Sequence, residues 1–359
     1  MKKLLLAILF GAFIQWSNAQ KPNLSFFCEL PGKEFQELFA DSALIEQLVR
    51  MKAEIRIGLH DFSDERTQTI KKLNRAGTPV VAWLLLPEQD GYWFNMYNGA
   101  KAEQRYADFK KWTTDNQLIW KGIGIDLELD INDATLALKH PWRLAWKVYK
   151  RLYDNKSLAA GKEIYQRLID TMKADGFTVE SYIIPIVFEE RTKKTSSFQK
   201  LMGIIDIQTD IEIPMLYTSA MNNPAIIPAY HQPNMPMALG STGGGVKIEG
   251  IELKALSWEN LERDILIASK LTNEVHIFCL ETSVAKGFLD KIEAINYNQP
   301  MPDIKTYIGK EKSTAKIYRF ALVVLEHPLI LTLVVLCLLS GIIWVVYKLL
   351  TIIFKKIRK

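Results

Sequence analysis

Eight short apolar segments recur along the chain, each separated from the next by a longer amphipathic or polar stretch. They are 24–29 (LSFFCE), 54–60 (EIRIGLH), 79–87 (PVVAWLLLP), 122–128 (GIGIDLE), 182–190 (YIIPIVFEE), 211–217 (IEIPMLY), 235–241 (MPMALGS) and 274–281 (EVHIFCLE). Apolar positions at helical spacing fill many of the gaps. KEFQELFADSALIEQLVRM precedes the second segment, and ERTQTIKKLNRAG, ending on Gly77, precedes the third. ATLALKHPWRLAWKVYKRLY and GKEIYQRLIDTMKADG both fall between the fourth and fifth. SWENLERDILIASKL, opened by Ser257 as an N-cap, precedes the eighth. Strands that are apolar on both faces and alternate with helices predict a parallel sheet covered by helices. Eight such units, with no Gly-rich phosphate loop after the first strand, predict an α/β fold, a (β/α)8 TIM barrel, over residues 20–297. The unit between the sixth and seventh strands is the weakest, because its prolines disfavour a helix.

The two ends break this pattern. Lys2 and Lys3 precede an apolar run from Leu4 to Ile14, and Ser17-Asn18-Ala19 offers small residues for cleavage. Residues 1–19 therefore read as a secretory signal peptide, with an uncut N-terminal anchor as the alternative. From Leu329 to Tyr347, 19 residues carry no charge, close to the ~20 a helix needs to cross hydrocarbon. Trp344 and Tyr347 suit the edge of such a span. The C-terminal part then divides into a tether (298–318), a single transmembrane helix region (319–348) and a basic tail (349–359). Cations flank the span almost equally, so the signal peptide sets the orientation. The barrel is expected in the periplasm or outside the cell, anchored by its C-terminal helix in a bacterial inner membrane, with the tail cytoplasmic.

Charge changes meaning once the ends are set aside. Of 45 Lys and Arg, two lie in the leader and seven from Lys316 onward, leaving 36; of 40 acids only Glu326 is removed, leaving 39. A body at −3 offers no nucleic-acid footprint. Three cysteines make no disulfide framework. Cys28 and Cys279 sit in the first and last strands, so a closed sheet would make them neighbours, bridged or as two buried thiols.

In such a barrel the active site forms at the C-terminal ends of the strands. Those ends carry Glu29, His60 with Asp61, Glu88, Asp126 with Glu128, Glu189 with Glu190, Tyr217 and Glu281. The best-specified pair is Asp126 and Glu128, which point the same way roughly 6–7 Å apart along one strand. Gly122 and Gly124 below them are expected to leave the interior open. Carboxyls this close resist double ionisation, so one keeps a proton near neutral pH. A proton donor beside a fixed anion is what glycosidic cleavage requires.

GIGIDLE resembles the fourth-strand signature of family 18 glycoside hydrolases, the chitinase-like barrels, written D-G-x-D-x-D-x-E. Gly122, Asp126 and Glu128 match it, while Lys121 and Gly124 replace its first two acids. At the sixth strand Met215, Leu216 and Tyr217 match the family's M-x-Y-D, with Thr218 in place of the last acid. The resemblance implies Glu128 as general acid, Asp126 as the carboxylate that orients the substrate's own acetamido nucleophile, and Tyr217 as its hydrogen-bond partner. It also implies an amino-sugar-containing polysaccharide or oligosaccharide as substrate and no cofactor.

Around that centre, Glu29, His60, Trp93, Glu189 and Glu281 are the expected substrate-binding residues. The loop PEQDGYWFNMYNG offers Tyr92, Trp93, Phe94 and Tyr97 for stacking on sugar rings, unless its rings pack on themselves. The eighth strand has no tryptophan to floor a sugar subsite; Phe278 is the nearest aromatic. The seventh strand ends without an acid, and its glycines read as a rim loop because no lysine and helix start follow them. His60, Asp61 and Glu29 fall short of a metal-ligand set. Two other classes stay open: a catalytically silent glycan-binding barrel in a membrane assembly with unnamed protein partners, and a metal-dependent hydrolase.

Overall fold

A computed structural model describes residues 21–246 and 254–357. The expected signal peptide lies outside the described residues. Eight parallel strands form one sheet: β1 (Asn23–Cys28), β2 (Glu54–Leu59), β3 (Val80–Leu84), β4 (Gly122–Leu127), β5 (Val179–Ile183), β6 (Ile211–Pro214), β7 (Met237–Gly240) and β8 (Glu274–Phe278). The order runs β6-β5-β4-β3-β2-β1-β8-β7, so β1 is central and pairs with both β2 and β8. The seam between β6 and β7 is narrow. A bridge from Met215 to Ala238 and a Leu216 N–H bond of 2.8 Å to the Ala238 carbonyl join the ends. The fold is the eight-stranded α/β barrel that the periodicity predicts.

Local signals fix the units. Ser63 caps the helix Asp64–Ala76 by accepting from the Arg66 N–H, and Gly77 ends it at a φ of 78°. Ser257 caps the helix Trp258–Ala268 as expected. The proline-rich sixth unit holds only two helical turns, Thr218–Met221 and Ile226–Ala229. Alternate strand residues pack outward against the helices, among them Phe26, Ile55, Ile57, Ile123, Ile125, Val275 and Ile277. Their partners, including Phe27, Trp83, Tyr182, Ile213 and Met215, fill the barrel itself.

The fifth strand differs from its expected span of 182–190. The strand is Val179–Ile183, and Pro185 opens a helix, Ile186–Lys193. Proline fixes a helical φ and lacks the N–H that a continuing strand would donate. Polar residues at 180 and 181 hid the true strand. Glu180 is buried because Arg56 of β2 meets it across the interior with two parallel bonds of 2.6 and 2.8 Å.

Cys28, ending β1, and Cys279, the residue just past β8, are free, buried thiols. Part of the expected tether is ordered structure. Lys305–Leu325 is a helix packed against the helices Ile186–Lys193 and Ser197–Met202. It is held by Arg319 Nε to Glu189 Oε2 at 2.5 Å, Asn223 Nδ2 to Glu311 at 2.5 Å, and Ser197 Oγ to the Leu322 carbonyl at 2.9 Å. A final helix, Pro328–Ile357, includes a predominantly apolar stretch of 21 residues, Pro328–Lys348, enough for ~30 Å at helical rise.

Candidate active site

The floor of the mouth is packed. A side chain at Gly124 would run into the Tyr182 hydroxyl, and one at Gly122 would meet the Thr178 carbonyl at 2.8 Å. The glycines of β4 therefore admit a tyrosine and a neighbouring backbone rather than keeping the interior clear, which corrects the expectation above. Tyr182 donates to Glu180 at 2.7 Å and stands edge-on to Phe27 and Trp83, with ring centroids 4.8 and 5.9 Å away. Arg56, Glu180 and this aromatic cluster close the barrel below the acids.

Asp126 rises from that floor, 3% exposed, with no hydrogen-bond partner for Oδ1 among the described donors. Glu128 lies just past the strand end and is half-buried. The loop after β3 fixes this end, because Phe94 N–H bonds the Asp126 carbonyl at 2.9 Å and Glu128 N–H bonds the Phe94 carbonyl at 3.2 Å. The two carboxyls are within hydrogen-bonding reach of each other. Burial raises both above the ordinary carboxylate range, and for Asp126 the neighbouring Glu128 and Glu29 add to the rise. Two carboxyls this close resist ionising together.

Tyr217 faces this pair. Burial holds its hydroxyl well above its usual range, with Asp126, Glu128 and Glu29 next in effect. Its ring lies 5.8 Å from that of Phe278, which points inward and reaches Phe27 at 6.0 Å. Thr218, at the position of the family's final acid, turns away and bonds buried Asp264.

Glu29 forms the opposite wall. Its Oε1 accepts from the Tyr92 hydroxyl, and its N–H lies 3.4 Å from Glu281 Oε1. Burial pushes Glu29 up to about 8; the Tyr92 hydroxyl pulls against that, and Glu281 and Glu128 add to it. Burial likewise raises Glu281, whose Oε2 has no partner among the described residues. Gly244 and Gly245 take φ values of 78° and 84°, and a side chain at 245 would meet Glu29 Oε2 at 3.1 Å. The glycine rim thus packs directly on the acidic wall.

Of the expected binding residues, Glu29, Glu281, Asp126, Glu128 and Tyr217 converge. Trp93 borders them edge-on to Tyr92, with centroids 5.1 Å apart. His60 supports the wall from behind, with Nε2 3.1 Å from the Glu29 carbonyl; burial, then Arg66, lowers it to about 4. Asp61 is taken up by Arg66 and Ser63. Glu189 stands apart, on a helix and paired with Arg319, because the fifth strand ends earlier than its apolar run. Glu190 caps a neighbouring turn by accepting from Phe198 and Gln199. In the loop after β3, Tyr92 and Phe94 are buried and Tyr97 packs under Arg151, which leaves Trp93 for a ligand. Tyr92 holds a φ of 65°, uncommon for a bulky residue, and so aims its hydroxyl at Glu29. Trp83 and Tyr182 gave no signal in the sequence as site-builders, and Tyr92, expected as a stacking ring, instead donates to Glu29.

Fold and mouth together define an eight-stranded α/β barrel with a cluster of carboxyls and tyrosines at the C-terminal ends of its strands. No protein-family model matches the chain, and no curated protein matches it. Among solved structures, a GH18 chitinase from Pseudoalteromonas aurantia is similar at 11% identity and a TM-score of 0.45, over 75% of this chain and 98% of that one. Gas2p of Saccharomyces cerevisiae, in complex with laminaritetraose and laminaripentaose, is similar at 11% identity and 0.38. The match takes in 75% of this chain and 58% of Gas2p, little more than half of that protein. A Rhizomucor miehei β-1,3-glucanosyltransferase mutant with laminaritriose gives 11% and 0.37, over 71% and 86% of the two chains. The fold assignment rests on the strand order itself.

Proposed function

We propose that the protein is a glycoside hydrolase acting on an amino-sugar-containing polysaccharide, with Glu128 as general acid. The observation that carries this reading is the Asp126–Glu128 pair, two neighbouring carboxyls at the mouth, both raised by burial, the outer one half-buried and the inner one buried. Glu128 gives its proton to the glycosidic oxygen as the bond to the sugar carbon breaks. Asp126 then holds the position of the group that stabilises that carbon. A protein nucleophile would need an ionised carboxylate on the other side. Burial pushes Glu29 up to about 8, which makes it a poor candidate at neutral pH. The substrate's own acetamido oxygen, held by Asp126 and Tyr217, is the better-supported nucleophile. Water then attacks the same carbon and opens the resulting ring, and Glu128 accepts that water's proton.

The test is release of reducing ends from a panel of N-acetylhexosamine polymers. Glu128→Gln is expected to lose about 10²–10⁴-fold in kcat while still binding oligosaccharide. Full activity in that variant overturns the assignment. One observation favours a silent glycan-binding barrel instead: Tyr182 and the Thr218–Asp264 bond occupy the places of two signature acids. Binding without turnover across the panel, unchanged by Glu128→Gln, would select that reading.

Export, anchoring by Pro328–Lys348 and an outward-facing barrel complete the proposal. Their check is protease accessibility of the barrel in intact spheroplasts.

A further inference from the structure

On the helix Pro141–Arg151 and the turn after it, Trp142, Trp146, Tyr149 and Tyr153 recur at spacings of four, three and four. That spacing places them in one stripe. Trp142 is 87% exposed and Trp146 59%, on a helix whose ring contacts run along itself. Trp146 stacks on Tyr149, and Tyr149 meets Tyr153 edge-on, each with centroids 5.6 Å apart. Single exposed aromatics are ordinary, but a continuous stripe marks a contact surface.

The stripe begins where the apolar helix begins. Tyr149 and Tyr153 both reach Thr332 Oγ1, at 2.9 and 3.3 Å, and Thr332 lies near the start of the Pro328–Lys348 stretch. Cations flank it: Lys147 pairs with Asp133, while Arg143 and Lys150 have no carboxylate partner among the described residues. Lys150 Nζ lies 5.2 Å from the Trp146 ring centre. A second element agrees, since Ile317 and Phe320, near the end of the helix Lys305–Leu325, are 66% and 73% exposed beside the same crossing.

We propose that the helix Pro141–Arg151 lies in the interface of an anionic phospholipid bilayer. Trp142 and Trp146 sit at the headgroup level, with Arg143 and Lys150 on lipid phosphates. Amphipathic rings with cations at their edge suit that zone, and the stripe is continuous with the segment that enters hydrocarbon. The inference rests on the final helix crossing the bilayer and is independent of the glycosidase chemistry.

The test uses the full chain with Cys337→Ala and a fluorophore on a single introduced cysteine, because Cys28 and Cys279 are buried. Three labelled versions carry Ala145→Cys beside the stripe, Lys71→Cys on the far helix Asp64–Ala76, and Val345→Cys in the span. Each is reconstituted in phosphatidylcholine vesicles, with or without phosphatidylglycerol, containing nitroxide-labelled lipid. The label at 145 is expected to be quenched at least about threefold more than that at 71, and more strongly with phosphatidylglycerol. Arg143→Glu with Lys150→Glu is expected to remove the dependence on phosphatidylglycerol. Equal quenching at 145 and 71, with 345 quenched, overturns the proposal alone. A label at 145 that is shielded only in native membranes assigns the stripe to a protein and also overturns it. An unquenched label at 345 overturns the membrane crossing as well. Glu128→Gln leaves every one of these signals unchanged.

Discussion

Glu29 joins the site's chemistry to its stability. Its carboxyl titrates near 8 in the fold against an ordinary 4.5, so the folded state keeps a proton that the unfolded chain releases. Its contribution is fully present below 4.5, falls as pH rises toward 8, and stops falling above that. Glu29→Gln keeps an acceptor for Tyr92 without the ionisation. That variant is expected to gain on the native protein by up to about 4 kcal/mol between pH 5 and pH 8, read as the difference in thermal midpoints. A constant difference across that range would show that Glu29 titrates normally. Asp126 differs, since its carboxyl neighbours the working acid. Asp126→Asn is expected to lower kcat on amino-sugar polymers at least about tenfold and to move the pH profile, whereas a merely structural loss would leave the profile in place.

At the scale of elements, β4 and β5 are built as a pair. Gly124 has no side chain because Tyr182 crosses over it to reach Glu180, the partner of Arg56. Gly124→Ala is expected to cost about 1–3 kcal/mol through overpacking. Tyr182→Phe in the same chain, which removes the clashing oxygen, should return part of it in denaturant unfolding. The buried pair behaves in the opposite way: Glu180→Gln leaves Arg56 with only the longer Glu54 contact at 3.6 Å, at a cost of about 3–5 kcal/mol by the same measurement. The acids at 126 and 128 were legible from their period of two and their place at a strand end. The partner strand was not. Glu180 and Ser181 break the apolar run, and the apolar residues after Pro185 continue it into a helix, so hydropathy slid the strand by several residues. That slip carried Glu189 to the mouth on paper, when it belongs with Arg319. Eight apolar runs made the barrel readable, but the side chains that fill it come from segments far apart in the chain, and no local pattern announces who meets whom.

For the whole molecule, the helix Lys305–Leu325 decides how barrel and apolar helix are connected. Its hold depends on a few polar contacts: Arg319 on Glu189, Asn223 on Glu311, and Glu326 on Ser196 N–H at 2.9 Å and Lys200 at 3.6 Å. Arg319→Ala with Glu326→Ala is expected to release the helix, seen as new proteolytic cleavage within 305–325 while the barrel core stays intact. Unchanged cleavage would mean that apolar packing alone holds it.

Only Glu326 and His327 separate this docked helix from Pro328–Ile357. A chain tied by a loose leash would search a hemisphere for its substrate. One fastened through two residues keeps a set height and heading, like a tool bolted to a bench. Under the proposed function, polymer would have to be fed past the mouth close to the membrane surface from which the final helix would rise. Under that reading, loosening the joint with an inserted flexible segment would change which glycans the proposed enzyme meets while leaving its chemistry alone.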